Sequence, residues 1–289
     1  KIAEDIDVSA ISVEAGTVAP PVSKLKGRLA KKVNRSLVVV RSQIPHRIGG
    51  VYDTGFFGTG VVLDAEEGIV AVDKDTVPIH MVEPSITFGA SLTLPAKVVY
   101  LHPDHNLALI KYDPKLIKAG EVNALKIKDT DLGKGKKVRL MGLNYDYELE
   151  QKKLKITGIE RSPSSKPRTP FFREQNIAVY ELDGAPSTVG GVIVDRWGNM
   201  LGQWASFVDL GKRDQDRNMY ILPSYVHSEA LAAYRSQLAI RSLRVELTSL
   251  NPIEAQEYGV RSEHLEKSAD RFFIISSISL DSPASKRLE

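Results

Sequence analysis

The chain runs to 289 residues with 42% hydrophobic and 26% charged side chains, proportions that exclude a disordered or fibrous protein. Its 39 Lys and Arg against 36 Asp and Glu leave a net charge of +3, too mild to mark a nucleic-acid footprint without a concentrated basic face. Cysteine is absent, which excludes disulfide staples, thiolate metal sites and a cysteine nucleophile and favours a reducing compartment.

At about 100–150 residues per domain, the length leaves room for a two-lobed unit plus part of another. Residues 1–22 mix acidic, small and proline residues, Pro20-Pro21 among them, with no period of helix or strand, and read as a linker. No apolar run approaches the ~18–20 residues that cross a bilayer, and Lys1-Ile2-Ala3-Glu4-Asp5 lacks the apolar core of a secretory signal. The chain starts without methionine and stops at Lys286-Arg287-Leu288-Glu289 inside what reads as a domain, so it is expected to be a piece of a longer protein.

From Ser23, an N-cap residue, Leu25, Leu29 and Val33 recur at helical spacing over 24–35, with Lys24, Lys26, Arg28, Lys31, Lys32 and Arg35 elsewhere. This predicts a short amphipathic helix with a solvated basic face. Short apolar runs then follow at Leu37–Val40, Gly60–Leu63, Ile69–Val72, Ser85–Phe88, Lys97–Leu101 and Leu107–Tyr112. A second set lies at Lys137–Leu143, Leu149–Ile156, Ile177–Leu182, Gly191–Asp195, Met200–Ser206 and Met219–Leu222. Glycine, proline and Asx turns separate the runs, which predicts two six-stranded antiparallel barrels. The polar stretch Pro114–Thr130 suits the crossing between them. After Pro223, Ser224 is expected to cap a closing helix with Val226, Ala230 and Ala233 on one stripe. A further unit then begins, with strands Leu243–Leu247 and Arg271–Ile278 around a helical piece at Pro252–Tyr258. The expected division is a linker over 1–22, a first barrel over 23–118, a second barrel with its closing helix over 119–240 and a partial domain over 241–289.

Several segments carry possible chemistry. His102 and His105 flank Asp104, but zinc needs at least three converging ligands, so neither metal nor cofactor is expected. Gly49-Gly50 and Gly58-Thr59-Gly60 lack the Lys-Ser/Thr pair of a phosphate loop and read as turns or tight barrel packing. Trp197 and Trp204 read as packing residues. Lys134-Gly135-Lys136-Lys137 and Lys152-Lys153-Leu154-Lys155 interleave little aromatic residue and read as solvated surface, with no nucleic-acid partner.

Three blocks stand in order: Gly58-Thr59-Gly60-Val61-Val62-Leu63-Asp64 with Gly68-Ile69-Val70-Ala71-Val72-Asp73-Lys74-Asp75-Thr76-Val77, then His105-Asn106-Leu107-Ala108-Leu109-Ile110-Lys111, then Leu182-Asp183-Gly184-Ala185-Pro186-Ser187-Thr188-Val189-Gly190-Gly191. Together they resemble the HtrA/Deg family of trypsin-like serine proteases, over roughly residues 25–240. The tail, with Asp281-Ser282-Pro283-Ala284, resembles the opening half of a PDZ domain. The resemblance implies an all-β fold: a trypsin-like double six-stranded antiparallel β-barrel with a C-terminal helix, followed by a partial PDZ-like domain. More narrowly, Val70–Pro78 and Tyr100–Asn106 resemble the second, degenerate protease unit of long tandem HtrA-like proteins known from fungal nuclei and, as a Deg relative, from plant chloroplasts. That implies an active serine endopeptidase unit elsewhere in the parent, a role in protein quality control, and the nucleus, cytoplasm or chloroplast as compartment.

The same resemblance puts Asp75 at the catalytic histidine's place, Asn106 at the triad aspartate's and Val189 at the reactive serine's. Valine offers no lone pair to attack a carbonyl, and an aspartate of ordinary pKa ~3.9 is a poor base at neutral pH. The expected function is a catalytically inactive protease-like module with a structural, oligomerisation or polypeptide-binding role. Its expected partners are polypeptide or an active protease unit of the same parent, in a homo-oligomer, with no membrane span. One alternative is an active endopeptidase that uses Thr188 or Ser187 as nucleophile and His105 or His102 as base; another is a peptide-binding chaperone module. The PDZ-like unit's carboxylate-binding loop would fall at Ser242-Leu243-Arg244-Val245.

Overall fold

The computed structural model describes residues 15–18, 26–49, 51, 54–89, 91–161, 177–184, 187–208, 217–237, 241, 243–267 and 272–288. Strands β1 (Leu37–Gln43), β2 (Gly55–Asp64), β3 (Ile69–Val72), β4 (Glu83–Phe88), β5 (Leu92–Leu101) and β6 (Ala108–Tyr112) close a barrel in the order β1-β2-β3-β6-β5-β4. A second barrel follows from β7 (Lys137–Leu143), β8 (Leu149–Arg161), β9 (Ala178–Leu182), β10 (Gly191–Val194), β11 (Met200–Val208) and β12 (Arg217–Pro223), in the order β10-β11-β12-β9-β8-β7. All pairings within both barrels are antiparallel, so the expected double six-stranded fold is present.

Side-chain alternation divides each strand between two cores. On β1, Val38 and Val40 point into the first barrel with Val62, Val70, Ile86, Phe88 and Ile110. Leu37 and Val39 instead join a core between the barrels, which gathers Leu63, Ile69 and Leu109 from one side and Met141, Leu143, Val192, Val194 and Leu222 from the other. The second barrel is filled by Val138, Leu140, Leu154, Ile156, Ile193, Trp204 and Ile221. The uniformly apolar run Leu37–Val40 thus reflects burial on both faces rather than helical packing. Gly60 reads as tight packing because a Cβ there would lie 2.7 Å from Val70 and 2.8 Å from Val40.

Two helices lie against the core between the barrels. α1 (Arg28–Asn34) buries Ala30 and Val33 and starts after Gly27, later than the helix expected from residue 24; the Ser23 cap and Leu25 lie outside the described residues. α2 (Ser224–Ser236) buries Val226 and Ala230, leaving Ala233 half-buried. Its cap position is Pro223 rather than Ser224, because Pro223 is still extended and paired to Gly202 at the end of β12. Ser224 Oγ instead donates to Lys128 O at 3.0 Å, fastening the helix to the crossing segment.

Beyond α2, β13 (Val245–Leu250) and β14 (Phe272–Ile278) form a two-stranded antiparallel sheet. Between them sit α3 (Pro252–Glu257), held by a capping box of Asn251 and Glu254, and α4 (Ser262–Lys267), which the sequence reading did not anticipate. Among the described residues no helix is long and apolar enough to cross a membrane.

Candidate functional site at the junction of the barrels

The turn after β3 and the loop before β6 meet strand β11 of the second barrel. Asp73 organises the turn, its Oδ1 accepting from Thr76 N at 2.9 Å and its Oδ2 from Ser206 N at 3.2 Å. Asn106 is buried at 1% exposure, and both ends of its amide are engaged. Oδ1 accepts from Lys74 N at 2.7 Å, and Nδ2 donates to Ser206 O at 2.6 Å. Asp75, the next residue in this turn, is half-buried. The turn therefore meets Asn106 through the Lys74 N–H, and both ends of the Asn106 amide are spent on main-chain partners.

The loop before β10 carries Val189, the third residue that the resemblance singles out. Val189 is 9% exposed, and its N–H donates to Leu143 O at 2.9 Å. In acyl-transfer sites of this geometry the N–H of the nucleophile residue is one of the donors that receives the developing oxyanion. Here that donor is already bonded. Gly190 follows at φ +150°, where a Cβ would lie 2.8 Å from Thr59 Cβ of the first barrel, so the backbones approach closely at a conformation that suits glycine.

Ser187 is exposed, whereas Thr188 is 8% exposed with its Oγ1 buried and lacking a hydrogen-bond partner. The structure places His105 against other rings: 4.8 Å from the His102 centroid and 6.1 Å from that of Tyr225. No described contact links His105 to Thr188 or Ser187. Burial and the nearby Lys74 ammonium push His105 down to about 4. His102, 2% exposed, is pushed down to about 3 by burial first and then by His105, Lys74 and His227. His102 Nδ1 accepts from Asp104 N and His105 N at 3.2 and 3.0 Å, which leaves the proton on Nε2, 4.0 Å from Glu229 of α2. His227 of α2 is also fully buried and held at about 4 by burial, with Nδ1 3.2 Å from Pro223 O and Nε2 2.7 Å from Gln203 Oε1. These imidazoles are neutral at pH 7; His102 and His105 pack the first barrel against Glu229 and Tyr225 of α2, while His227 ties α2 to Gln203 of β11. Among the described residues no group of three or more His, Cys, Asp or Glu side chains could hold a metal ion.

Beside Val189 opens a cavity of about 640 Å³ lined by Arg41, Phe56, Phe57, Glu83, Asn144, Tyr145 and Tyr147 among others. Its outer wall is the turn between β7 and β8. Asn144 Oδ1 accepts from Asp146 N and Glu148 N at 2.9 and 3.0 Å, and Tyr147 sits at φ +62°, a left-handed conformation uncommon for a bulky residue. Tyr147 OH bonds the Arg41 guanidinium, and Tyr145, 73% exposed, leans towards Phe57 at 6.3 Å between ring centroids. The sequence reading missed this wall. Its one local signal was the Asn144-Tyr145-Asp146-Tyr147 turn, an Asx pattern carrying two aromatic rings.

The tail residues read as a carboxylate-binding loop divide differently. Ser242 lies outside the described residues, Leu243 is 75% exposed, Arg244 has φ +56°, and Val245 is buried as the first residue of β13.

No family model matches the chain. Among curated proteins it is similar to the pro-apoptotic serine protease NMA111 of Debaryomyces hansenii, 34% identical over 184 residues, covering 63% of this chain and 18% of that protein. The same-named protein of Yarrowia lipolytica is 31% identical over 242 residues, covering 80% of this chain and 24% of that protein. The chain thus spans about a quarter or less of the length of these relatives. Among solved structures, a variant of the HtrA-type protease AlgW with tripeptide superposes with a TM-score of 0.60 at 18% identity, covering 90% of this chain and 79% of that one.

Proposed function

We propose that this chain, which by fold and by its curated relatives falls within the HtrA-type trypsin-like serine protease family, is a protease-like module that holds polypeptide without cutting it. The observation that carries this reading is the Val189 N–H bonded to Leu143 O. The aligned nucleophile is missing, and one of the backbone donors that would stabilise a tetrahedral oxyanion is also occupied. Asn106 has each end of its amide on a main-chain partner and carries no charge to stabilise an imidazolium, and Asp75 stands where a base of near-neutral pKa is needed.

A cleft survives beside the lost chemistry. Phe57, Tyr145 and Tyr147 offer apolar ring surface with Arg41 and Glu83 at its edge, a composition suited to extended polypeptide. The module is read as the degenerate second unit of a tandem HtrA-like parent with a PDZ-like domain beginning in its tail. In that parent an oligomer would present the cleft to substrates of an active unit.

Two measurements on the 289-residue chain test the proposal. Fluorophosphonate labelling and casein hydrolysis are expected to match a buffer blank, while fluorescently labelled unfolded casein binds and is recovered intact. Stoichiometric labelling of Thr188 or Ser187 would instead establish the active-endopeptidase alternative, and intact casein that fails to bind would remove the polypeptide-holding role.

A further inference from the structure

The outer face of the second barrel carries a charge arrangement that the fold does not require. β7 and β8 pair so that Lys137 lies opposite Lys155 and Arg139 opposite Lys153, on either side of the buried pair Val138 and Leu154. Like charges directly opposite one another on a sheet are destabilising. Lys136 and Arg196 complete the cationic lining of a groove of about 550 Å³, whose carboxylates among the described residues are Asp183 and Asp195. Both carboxylates are engaged within the chain. Asp183 Oδ1 accepts from Lys155 N at 2.8 Å, and Asp195 accepts from Trp197 N and Asn199 N at 2.9 and 3.0 Å and pairs with Lys128 at 3.3 Å. Among the described residues Lys136, Lys137, Arg139, Lys153 and Lys155 form no ion pair. A chain whose net charge is only +3 therefore concentrates unneutralised cations on one face.

We propose that this groove docks an acidic stretch of polypeptide in extended conformation. Same-face residues along a strand repeat every ~6.6–6.8 Å, so the rows Lys137, Arg139 and Lys153, Lys155 match carboxylates on alternate residues of an extended peptide. Such a partner relieves the repulsion across β7 and β8 and so offsets what the bare surface loses. Single-stranded nucleic acid fits less well, because it needs aromatic platforms for its bases. Among the described residues the groove lining contains no aromatic ring, and neighbouring Trp197, though 59% exposed, already has the Arg196 guanidinium 3.8 Å over its ring. The groove shares no lining residue with the cleft beside Val189, so it stands apart from the cleft reading.

The test is fluorescence anisotropy of a labelled peptide of alternating Glu and Ser with the full 289-residue chain. Saturable binding that weakens with added salt is expected, falling about fivefold in Arg139→Gln/Lys153→Gln. The control Lys97→Gln/Lys111→Gln removes a facing cation pair on the first barrel, where the cavity lining holds no other cation, and is expected to bind as the parent does. Arg139→Gln/Lys153→Gln should melt no lower than the parent, since it relieves repulsion, which separates lost binding from lost folding. Absent binding, equal loss in the control, a lower melting temperature in Arg139→Gln/Lys153→Gln, or tighter binding of a charge-matched oligonucleotide would each overturn the proposal.

Discussion

Asn106 donates its side-chain amide to the main-chain carbonyl of Ser206 at 2.6 Å, stitching the loop before β6 to β11 of the other barrel. Asn106→Asp would therefore place a second acceptor against the Ser206 carbonyl at a site 1% exposed. The expected loss is about 1–3 kcal/mol by urea denaturation at neutral pH, with the gap to the parent narrowing as the pH is lowered and the new carboxyl gains a proton to donate.

Restoring the reactive side chains should not restore chemistry. Asp75→His/Val189→Ser is expected to remain unlabelled by a fluorophosphonate, because the N–H of residue 189 stays committed to Leu143 O and the neutral Asn106 amide, held on main-chain partners, supplies no carboxylate to the new imidazole. Mass spectrometry of the intact chain after incubation with the reagent reads this directly.

The Gly190 junction is sterically closed. At φ +150°, with Thr59 Cβ 2.8 Å from where an alanine methyl would sit, Gly190→Ala forces the loop before β10 away from the first barrel. A loss of about 1–3 kcal/mol is expected in thermal or denaturant unfolding.

Acid should loosen the contacts of α2 with the two barrels. His102, His105 and His227 sit at about 3, 4 and 4, below the 6.5 of an unfolded chain, so the unfolded state binds more protons once the pH drops under ~6.5. Their contribution is present above that value and is lost progressively as the pH falls towards 4 and 3. Asp104, Glu229, Tyr100 and Lys74 face the same cluster; Asp104, raised by burial, works weakly in the opposite direction. Melting temperatures across this range should decline, and His102→Gln should show a shallower slope than the parent.

Surface and core contacts should separate cleanly. Arg235 of α2 reaches both Asp64 and Glu67 of the first barrel, yet its side chain is 44% exposed, so Arg235→Ala is expected to lose no more than about 1 kcal/mol. Ile193→Ala, at a position with no exposure inside the second barrel, should lose about 2–5 kcal/mol in the same denaturation experiment.

The strand runs were legible because each short apolar segment had its turn residues beside it, and this held for Leu37–Val40 as for Gly191–Val194. Edges were less legible. β2 starts at Gly55 rather than at Gly60, because its early residues pair with β1 without forming an apolar run. Of the candidate site, the residue identities at 75, 106 and 189 were readable, whereas their hydrogen-bond partners were not. Leu143 and Ser206 take part through backbone carbonyls, which no side-chain pattern announces.

By itself the sequence determined the double barrel and the apolar, non-nucleophilic side chain that stands at Val189, since both follow from local facts: alternation, turn residues and residue identity. Tertiary structure alone decided what those residues do instead. The Asn106–Ser206 bond joins positions 100 apart, and the facing cations of β7 and β8 become a basic groove only when strand register brings two separate lysine-rich runs side by side. Such pairings depend on how distant backbones meet when the barrels close and pack, and the charges along either run alone gave no sign of them.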